Sequence, residues 1–349
     1  MEFKPDWECA RQRFLAWWQG EVIDRVAMSV RAPNGTPPRP VAEPGEPWRI
    51  HGDPDYVVAR WESSFAATYF AAEAFPCPTL LIGYAFMGTP VSYAPHTIWL
   101  HPVIDDPWRD LPVFDTTGPA WRRLEAVVHA MVEAGRGRWL TAFPTVPLPS
   151  DLLAGLRGNE RLCLDMIDRP EWVALAMDYL AGVCLRAYGE IATWLDTDRL
   201  GSSSWLPLWS PGRSVTLQCD FSCLIGAAMF RRFIVPEQRT LARWLDNCIY
   251  HLDGPGAIHH LDALLEVPEI RGLQWVPGAG APPPLEWLPL LRRIQDAGKL
   301  LHISIAAADV PRALELLRPE GLFLATGAGS VEEADALVRL ALRRTRRRR

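Results

Sequence analysis

The sequence predicts an α/β protein, a single (β/α)8 TIM-type barrel with N-terminal helical and Pro/Trp-rich additions. Three observations carry this expectation. From Arg138 onward, short apolar runs alternate with longer helical patterns, and alternating βα units imply parallel strands, about eight of which close a barrel. The chain has 349 residues, 49% of them hydrophobic and 22% charged, which suits one such barrel with a large core. No Gly/Ser-rich linker divides it, so residues 1–342 are read as one domain and the basic run 343–349 as a disordered tail.

Taken in order, residues 6–20 pattern as an amphipathic helix with Trp7, Phe14, Leu15, Trp17 and Trp18 on one broad side. Residues 26–30 form a strand, and 33–47 are too proline-dense for regular structure. Residues 53–74 read as helix, 79–83 as strand, 91–103 as a β excursion, 119–135 as helix and 138–143 as strand. Helices are expected over 150–156, 157–166 and 170–195, followed by a loop, 202–212, that carries Trp205 and Trp209. Then come a strand at 215–219, a helix at 229–245 that must accommodate Pro236, and a strand ending at His251. The remainder alternates as helix 257–265, strand 272–276, helix 285–297, strand 300–305, helix 310–317, strand 322–326 and helix 331–343.

Composition excludes several function classes. A net charge of −5 gives no global basic field for nucleic acid. No run approaches 18 apolar residues, so no membrane span is expected. Seven cysteines without a CxxC pair, and no basic-then-apolar segment after Met1, point to reduced thiols and a cytoplasmic setting. Gly278-Ala279-Gly280 and Gly327-Ala328-Gly329 follow strands but match neither nucleotide-binding fingerprint.

The chemistry concentrates around Tyr250-His251-Leu252-Asp253-Gly254-Pro255-Gly256. Strand side chains alternate, so His251 and Asp253 project together at a strand's carboxyl end, the edge where α/β folds bind ligands. A buried Asp–His pair that only ties down a loop is the competing account. Asp220 closes the preceding strand on the same rim, as acid/base or as a cap for the next turn. Gln274, Trp275 and His302 lie on the following strands. With Trp205, Trp209 and Arg157, the last as a carboxylate clamp, they are the expected substrate-binding set. His302 also fits a satisfied core histidine, and His259-His260 a solvent-facing or capping pair.

The order of these motifs resembles the uroporphyrinogen decarboxylase superfamily, which includes corrinoid- and cobalamin-dependent methyltransferases. The residues that carry the resemblance are Ile23-Asp24-Arg25, Asp220, Met229-Phe230-x-x-Phe233-x-x-Pro236, His251-x-x-Gly254 and the stretch 321–327. In the methyltransferase branch the resemblance implies a His-x-Cys-Gly strand end that helps hold zinc. Here Asp253 stands where the Cys would be, and Leu324-Ala325-Thr326-Gly327 brings no further thiol. A harder metal site on His251 and Asp253 stays open. In the decarboxylases the resemblance implies an arginine-rich motif at the first strand, where this chain has Arg31 alone.

The resemblance therefore implies an enzyme acting on a small carboxylated or aromatic molecule at the barrel mouth. Metal-independent decarboxylation by His251, Asp253 and Asp220, without a cofactor, is the expected reaction. Methyl transfer with a corrinoid protein partner and a divalent metal is the alternative, and a non-catalytic ligand-binding barrel is a third. A homodimer is compatible with all three.

Overall fold

The computed structural model describes residues 1–346. Its eight strands are β1 (Ala27–Pro33), β2 (Thr68–Ala72), β3 (Val91–Ala94), β4 (Thr97–Leu100), β5 (Ile249–Asp253), β6 (Gly272–Val276), β7 (Leu300–Ser304) and β8 (Leu322–Gly327). The central sheet runs β2-β1-β8-β7-β6-β5, with β3 and β4 forming a separate hairpin. Strands β1, β8, β7, β6 and β5 are parallel, and only β2 is antiparallel. Each parallel step from β5 to β8 is made through a helical connection, which places helices against the sheet.

The regular ladder thus holds five parallel strands rather than eight. Beyond it the backbone is joined by isolated bonds: Leu217 N to Ile249 O at 2.9 Å, Phe143 N to Ser203 O at 2.9 Å, Thr145 N to Leu80 O at 2.7 Å and Glu73 N to Met28 O at 2.9 Å. The expected strands at 138–143 and 215–219 are largely extended segments of this kind, whereas that at 79–83 turns into the 3-10 helix Ile82–Ala85. Prolines 76, 78, 144 and 147 supply no ladder donor, which is one physical reason for the irregularity.

Two apolar layers lie on opposite faces of the sheet. Ala27, Ile249, Leu300 and Phe323 face inward onto Phe14, Trp17, Trp18, Phe75 and Trp209. The alternate residues Met28, Tyr250, Leu252, Leu273, Trp275 and Ile303 belong to the larger cluster shared with the helices. The first helix, Trp7–Trp18, therefore plugs the inner layer, and Trp17 Nε1 donates to Gly321 O at 3.0 Å.

Three elements differ from expectation. Residues 53–74 are not one helix: the helix Pro54–Ala66 ends and the chain returns as β2, whose Thr68, Tyr69 and Phe70 suit an extended strand paired with β1. The helix around Pro236 widens into a π-turn over Phe230–Ile234, since proline lacks the N–H and crowds the carbonyl four residues back. The last helix runs Val331–Arg346, so residues 343–346 are ordered and not a tail. Thr345 is buried there and its Oγ1 accepts from Val26 N at 3.2 Å, while Arg344 pairs with Glu315. The last three arginines of the expected tail lie outside the described residues.

Candidate active site

Strand register assembles the site. His251 stands opposite Gln274, Gln274 opposite His302, and His302 opposite Phe323, so one row crosses β5, β6, β7 and β8. The row sits directly above the aromatic floor. His251 Nδ1 donates to Gln274 Oε1 at 2.7 Å, which leaves Nε2 on the side of Asp253, at the strand's carboxyl end. Trp205 meets the imidazole edge-on, with ring centres 5.0 Å apart. His302 is buried and stacked on Phe323, and burial, reinforced by His251, pushes its pKa down to about 3. It is neutral, as a core histidine must be.

Asp220 opens the short 3-10 turn Asp220–Leu224 on the same rim. Burial raises its carboxyl pKa, His251 opposes that and Asp253 adds to it, which puts all three groups within electrostatic reach. Behind the turn, Phe221 N donates to Asp151 Oδ1 at 3.0 Å. Asp151 is partly buried, with its Oδ2 enclosed, and desolvation followed by the charge of Asp220 lifts it to about 6. Deeper still, Glu237 accepts from Ser150 Oγ at 2.6 Å and from Gln238 Nε2 at 2.9 Å. Burial dominates there and raises Glu237 to about 8, with Asp151 contributing in the same direction. Asp151 and Glu237 were not foreseen. A signal existed for Glu237, because Glu237 and Gln238 fall on the helix face that Ile234 and Leu241 bury.

Other expected site residues lie elsewhere. Arg157 is buried at the end of the helix Pro149–Arg157; its Nε donates to Asp165 at 2.6 Å and its Nη1 to Ile104 O and Asp105 O, so it is not a free clamp. Trp209 belongs to the aromatic floor, with Nε1 donating to Leu200 O at 2.9 Å. Trp275 alternates with Gln274 and therefore faces the helices, 5.2 Å from Trp287. Nor does the imidazole bond Asp253: Nε2 lies 3.9 Å from Oδ2, too far for a hydrogen bond. His259 is solvent-exposed as expected, with its Nε2 3.0 Å from Ile225 O, whereas His260 is buried and its Nε2 meets Ser222 O at 2.9 Å.

The ligand-sized cleft on this rim is not beside His251. A cavity of about 670 Å³ opens past the end of β1, lined by Arg31, Arg39, Arg60, Tyr56 and Ser63. Arg31 projects from the inner face of β1 and lies over Phe70, 5.9 Å from its ring centre, and forms no ion pair among the described residues. Next to Trp205 and Gln218 the space is only about 20 Å³.

The zinc set of the methyltransferase branch does not fit these side chains. Among the described residues no three His, Cys, Asp or Glu side chains are grouped to hold a metal ion. The nearest thiols in sequence to Asp220 are Cys219, enclosed and pushed far above the ordinary thiol range by burial, and Cys223, whose Sγ is spent on Asp220 O at 3.2 Å.

No protein-family model matches the chain, and no curated protein matches it either. Among solved structures, a methyltransferase from Methanosarcina mazei superposes with a TM-score of 0.64 at 12% identity, covering 95% of this chain and 98% of that one. The fold is shared with that methyltransferase. A GH18 chitinase from Pseudoalteromonas aurantia also matches, at a TM-score of 0.36 and 10% identity over 76% of this chain and 98% of that one, too low to argue from. No helix among the described residues is long and apolar enough to cross a membrane.

Proposed function

We infer that the protein is an enzyme that transfers a one-carbon group to or from a small molecule at the carboxyl ends of the parallel strands. Support comes from the near full-length likeness in fold to a methyltransferase, combined with an imidazole held through Nδ1 by Gln274 so that Nε2 is left for a ligand. On this reading the non-helical segments at 76–80, 139–146 and 214–219 complete an eight-membered ring with β1 and β5–β8. Asp220 and Asp253 keep exposed side chains, so the mouth is open to a carrier held by another protein such as a corrinoid protein. That carrier, when bound, supplies or removes the methyl group.

This chain's residues do the rest. As a nucleophile X–H takes the methyl, the X–C bond forms, the carrier–methyl bond breaks, and the proton passes to His251 Nε2. Gln274 holds the ring for this by accepting from Nδ1. Asp220 and Asp253 stabilise the imidazolium that results. The test is turnover of methylcobalamin with a panel of small thiols and amines, read as the absorbance change of the demethylated cobalamin. Activity that falls about 100-fold or more in His251→Ala supports the reading.

A second reading, decarboxylation, is favoured by one observation: a His/Asp/Asp mouth without grouped thiolates. There Asp220 or protonated His251 returns a proton to the carbon that loses CO2. Release of CO2 from carboxylated aromatics, with no methyl transfer, would select it.

A further inference from the structure

The layer of the sheet above the row His251, Gln274, His302 and Phe323 is formed by Asp253, Val276, Ser304, Ala325 and Ser29. None of these five is buried and none is larger than valine, so the strands leave the space over the row open. They give it little means of sorting ligands by size. Bulk comes from outside the strands. Trp205 packs on the aromatic floor and stands nearly perpendicular to the imidazole, ring centres 5.0 Å apart. The backbone that carries the indole is pinned. Phe143 N donates to Ser203 O at 2.9 Å, and Ser202 and Ser210 exchange backbone bonds of 2.8 and 2.9 Å. Ser204 Oγ lies 2.8 Å from Thr216 Oγ1 and accepts from Thr216 N at 3.1 Å. Ser202, Ser203, Ser204 and Thr216 are all buried, so lifting this segment would leave enclosed donors and acceptors unpaired. The void beside the indole is about 20 Å³, room for about one water and not for a turned ring. The imidazole is held in turn, since moving it away from the indole breaks the bond from Nδ1 to Gln274 Oε1.

We propose that Trp205 determines the size of substrate that reaches His251: the fixed indole admits a molecule whose reacting atom ends a slim, unbranched chain and excludes one that is branched or ringed there. This rests on the reading of His251 as the proton acceptor. On that reading the substrate class is a primary thiol or amine, because X–H must come within hydrogen-bond reach of the imidazole, about 3 Å, alongside the indole. A branch at the adjacent carbon meets the indole before the proton can pass. Packed sites resist added bulk, so the contact sorts substrates while the indole itself takes no part in bond making. An indole that swung out to solvent for every ligand would sort nothing, and the two behaviours differ in what they let through.

The experiment is alkylation of the full chain by iodomethane and by benzyl bromide at mildly alkaline pH, read at His251 by peptide mass spectrometry. His129, whose side chain is 53% exposed, is the reference. With either reagent a ring nitrogen–carbon bond forms as the carbon–halogen bond breaks and halide leaves. In wild type, His251 is expected to favour iodomethane over benzyl bromide at least about tenfold more than His129 does, the lower end of the discrimination a packed pocket achieves. Trp205→Ala is expected to remove most of that preference. Trp205→Phe keeps an aromatic ring on the floor, is expected to fold, and should lie between. Equal preference at the two histidines in wild type, or a preference that survives both substitutions, overturns the proposal. A Trp205 that only fills space would lower the melting temperature when replaced and leave the ratio alone. Alkylation needs no turnover, which separates the two layers. In the methylcobalamin assay, kcat/KM for 2-methyl-2-propanethiol relative to ethanethiol is expected to rise in Trp205→Ala, and a ratio that stays put among active forms also overturns the proposal. If the alkylation preference moves as expected and no thiol or amine turns over in any form, the size filter stands and the methyl-transfer reading falls.

Discussion

His251 and Gln274 face one another across β5 and β6, with Nδ1 and Oε1 2.7 Å apart, and this contact rather than the one to Asp253 fixes the imidazole. The consequence is a ring whose Nδ1 proton is held by Gln274 and whose Nε2 is left for the mouth. Gln274→Leu removes the acceptor and leaves Nδ1–H half-buried without a partner. Loss of a hydrogen bond of this kind costs about 1 kcal/mol of stability. Turnover is expected to fall at least ~10-fold as the ring loses its orientation, a fraction of what full removal of an acid/base group costs. Nitrogen NMR of the imidazole, showing mixed tautomers in the variant, checks the cause.

Asp253 has a smaller expected role than its position suggests. At 3.9 Å its carboxylate interacts with the ring through charge alone, and half of its side chain is in solvent. Exposed pairs of this kind contribute ~1 kcal/mol or less, so Asp253→Asn is expected to slow turnover no more than about fivefold. A loss near 100-fold would mean that the two groups close up in the bound state. Steady-state kinetics with the melting temperature measured alongside decides between them.

Arg157→Ala is expected to damage folding and spare binding. Its guanidinium is enclosed with Asp165, and breaking a buried pair costs about 3 kcal/mol or more because the remaining charge is stranded. Arg169 also reaches Asp165 and softens the loss. Denaturant midpoints should fall while ligand affinity of the folded fraction is unchanged. An affinity loss without destabilisation would return Arg157 to the substrate.

What was legible in the sequence follows from where local pattern and tertiary demand coincide. Strands β5–β8 carry period-two alternation bounded by Gly and Pro, and the row His251, Gln274, His302 was readable because each lies inside such a strand. Trp275 was misplaced although alternation forbids it from sharing a face with Gln274. β2 was absorbed into a helix because an antiparallel edge strand is specified by its partner β1, which lies more than thirty residues back. Arg157 looked like a clamp because nothing local reveals that Asp165, eight residues on, would take it. Nothing in the sequence singles out Asp151, since burial of a carboxyl oxygen leaves no mark in composition.

The buried acids predict how stability depends on pH. Glu237 has a folded pKa raised to about 8 from an ordinary 4.5, and Asp151 is raised to about 6 from 3.8. Below the unfolded values both states hold the protons and neither group has any effect. As pH rises above them, the unfolded chain releases protons that the folded one retains, so stability falls until the folded carboxyls ionise in turn. The loss from Glu237 therefore accumulates between about pH 4.5 and pH 8 and levels off above that. His302 works on the other side. Its folded pKa is lowered to about 3, so protonation of the unfolded chain below about 6.5 drains stability progressively toward pH 3. Summed, the three groups leave the fold most stable at about pH 4, since His302 drains stability below that and above about pH 4.5 the two acids lose it faster than His302 restores it. Glu237→Gln keeps the neutral shape, retains the acceptor for Ser150 Oγ and removes the titration. It is expected to be nearly neutral at pH 5 and stabilising by a few kcal/mol at pH 8, since each pKa unit of difference between the states is worth about 1.4 kcal/mol. Urea unfolding at a series of pH values measures this directly. A stability gain that does not grow with pH would show that Glu237 is already ionised in the folded protein.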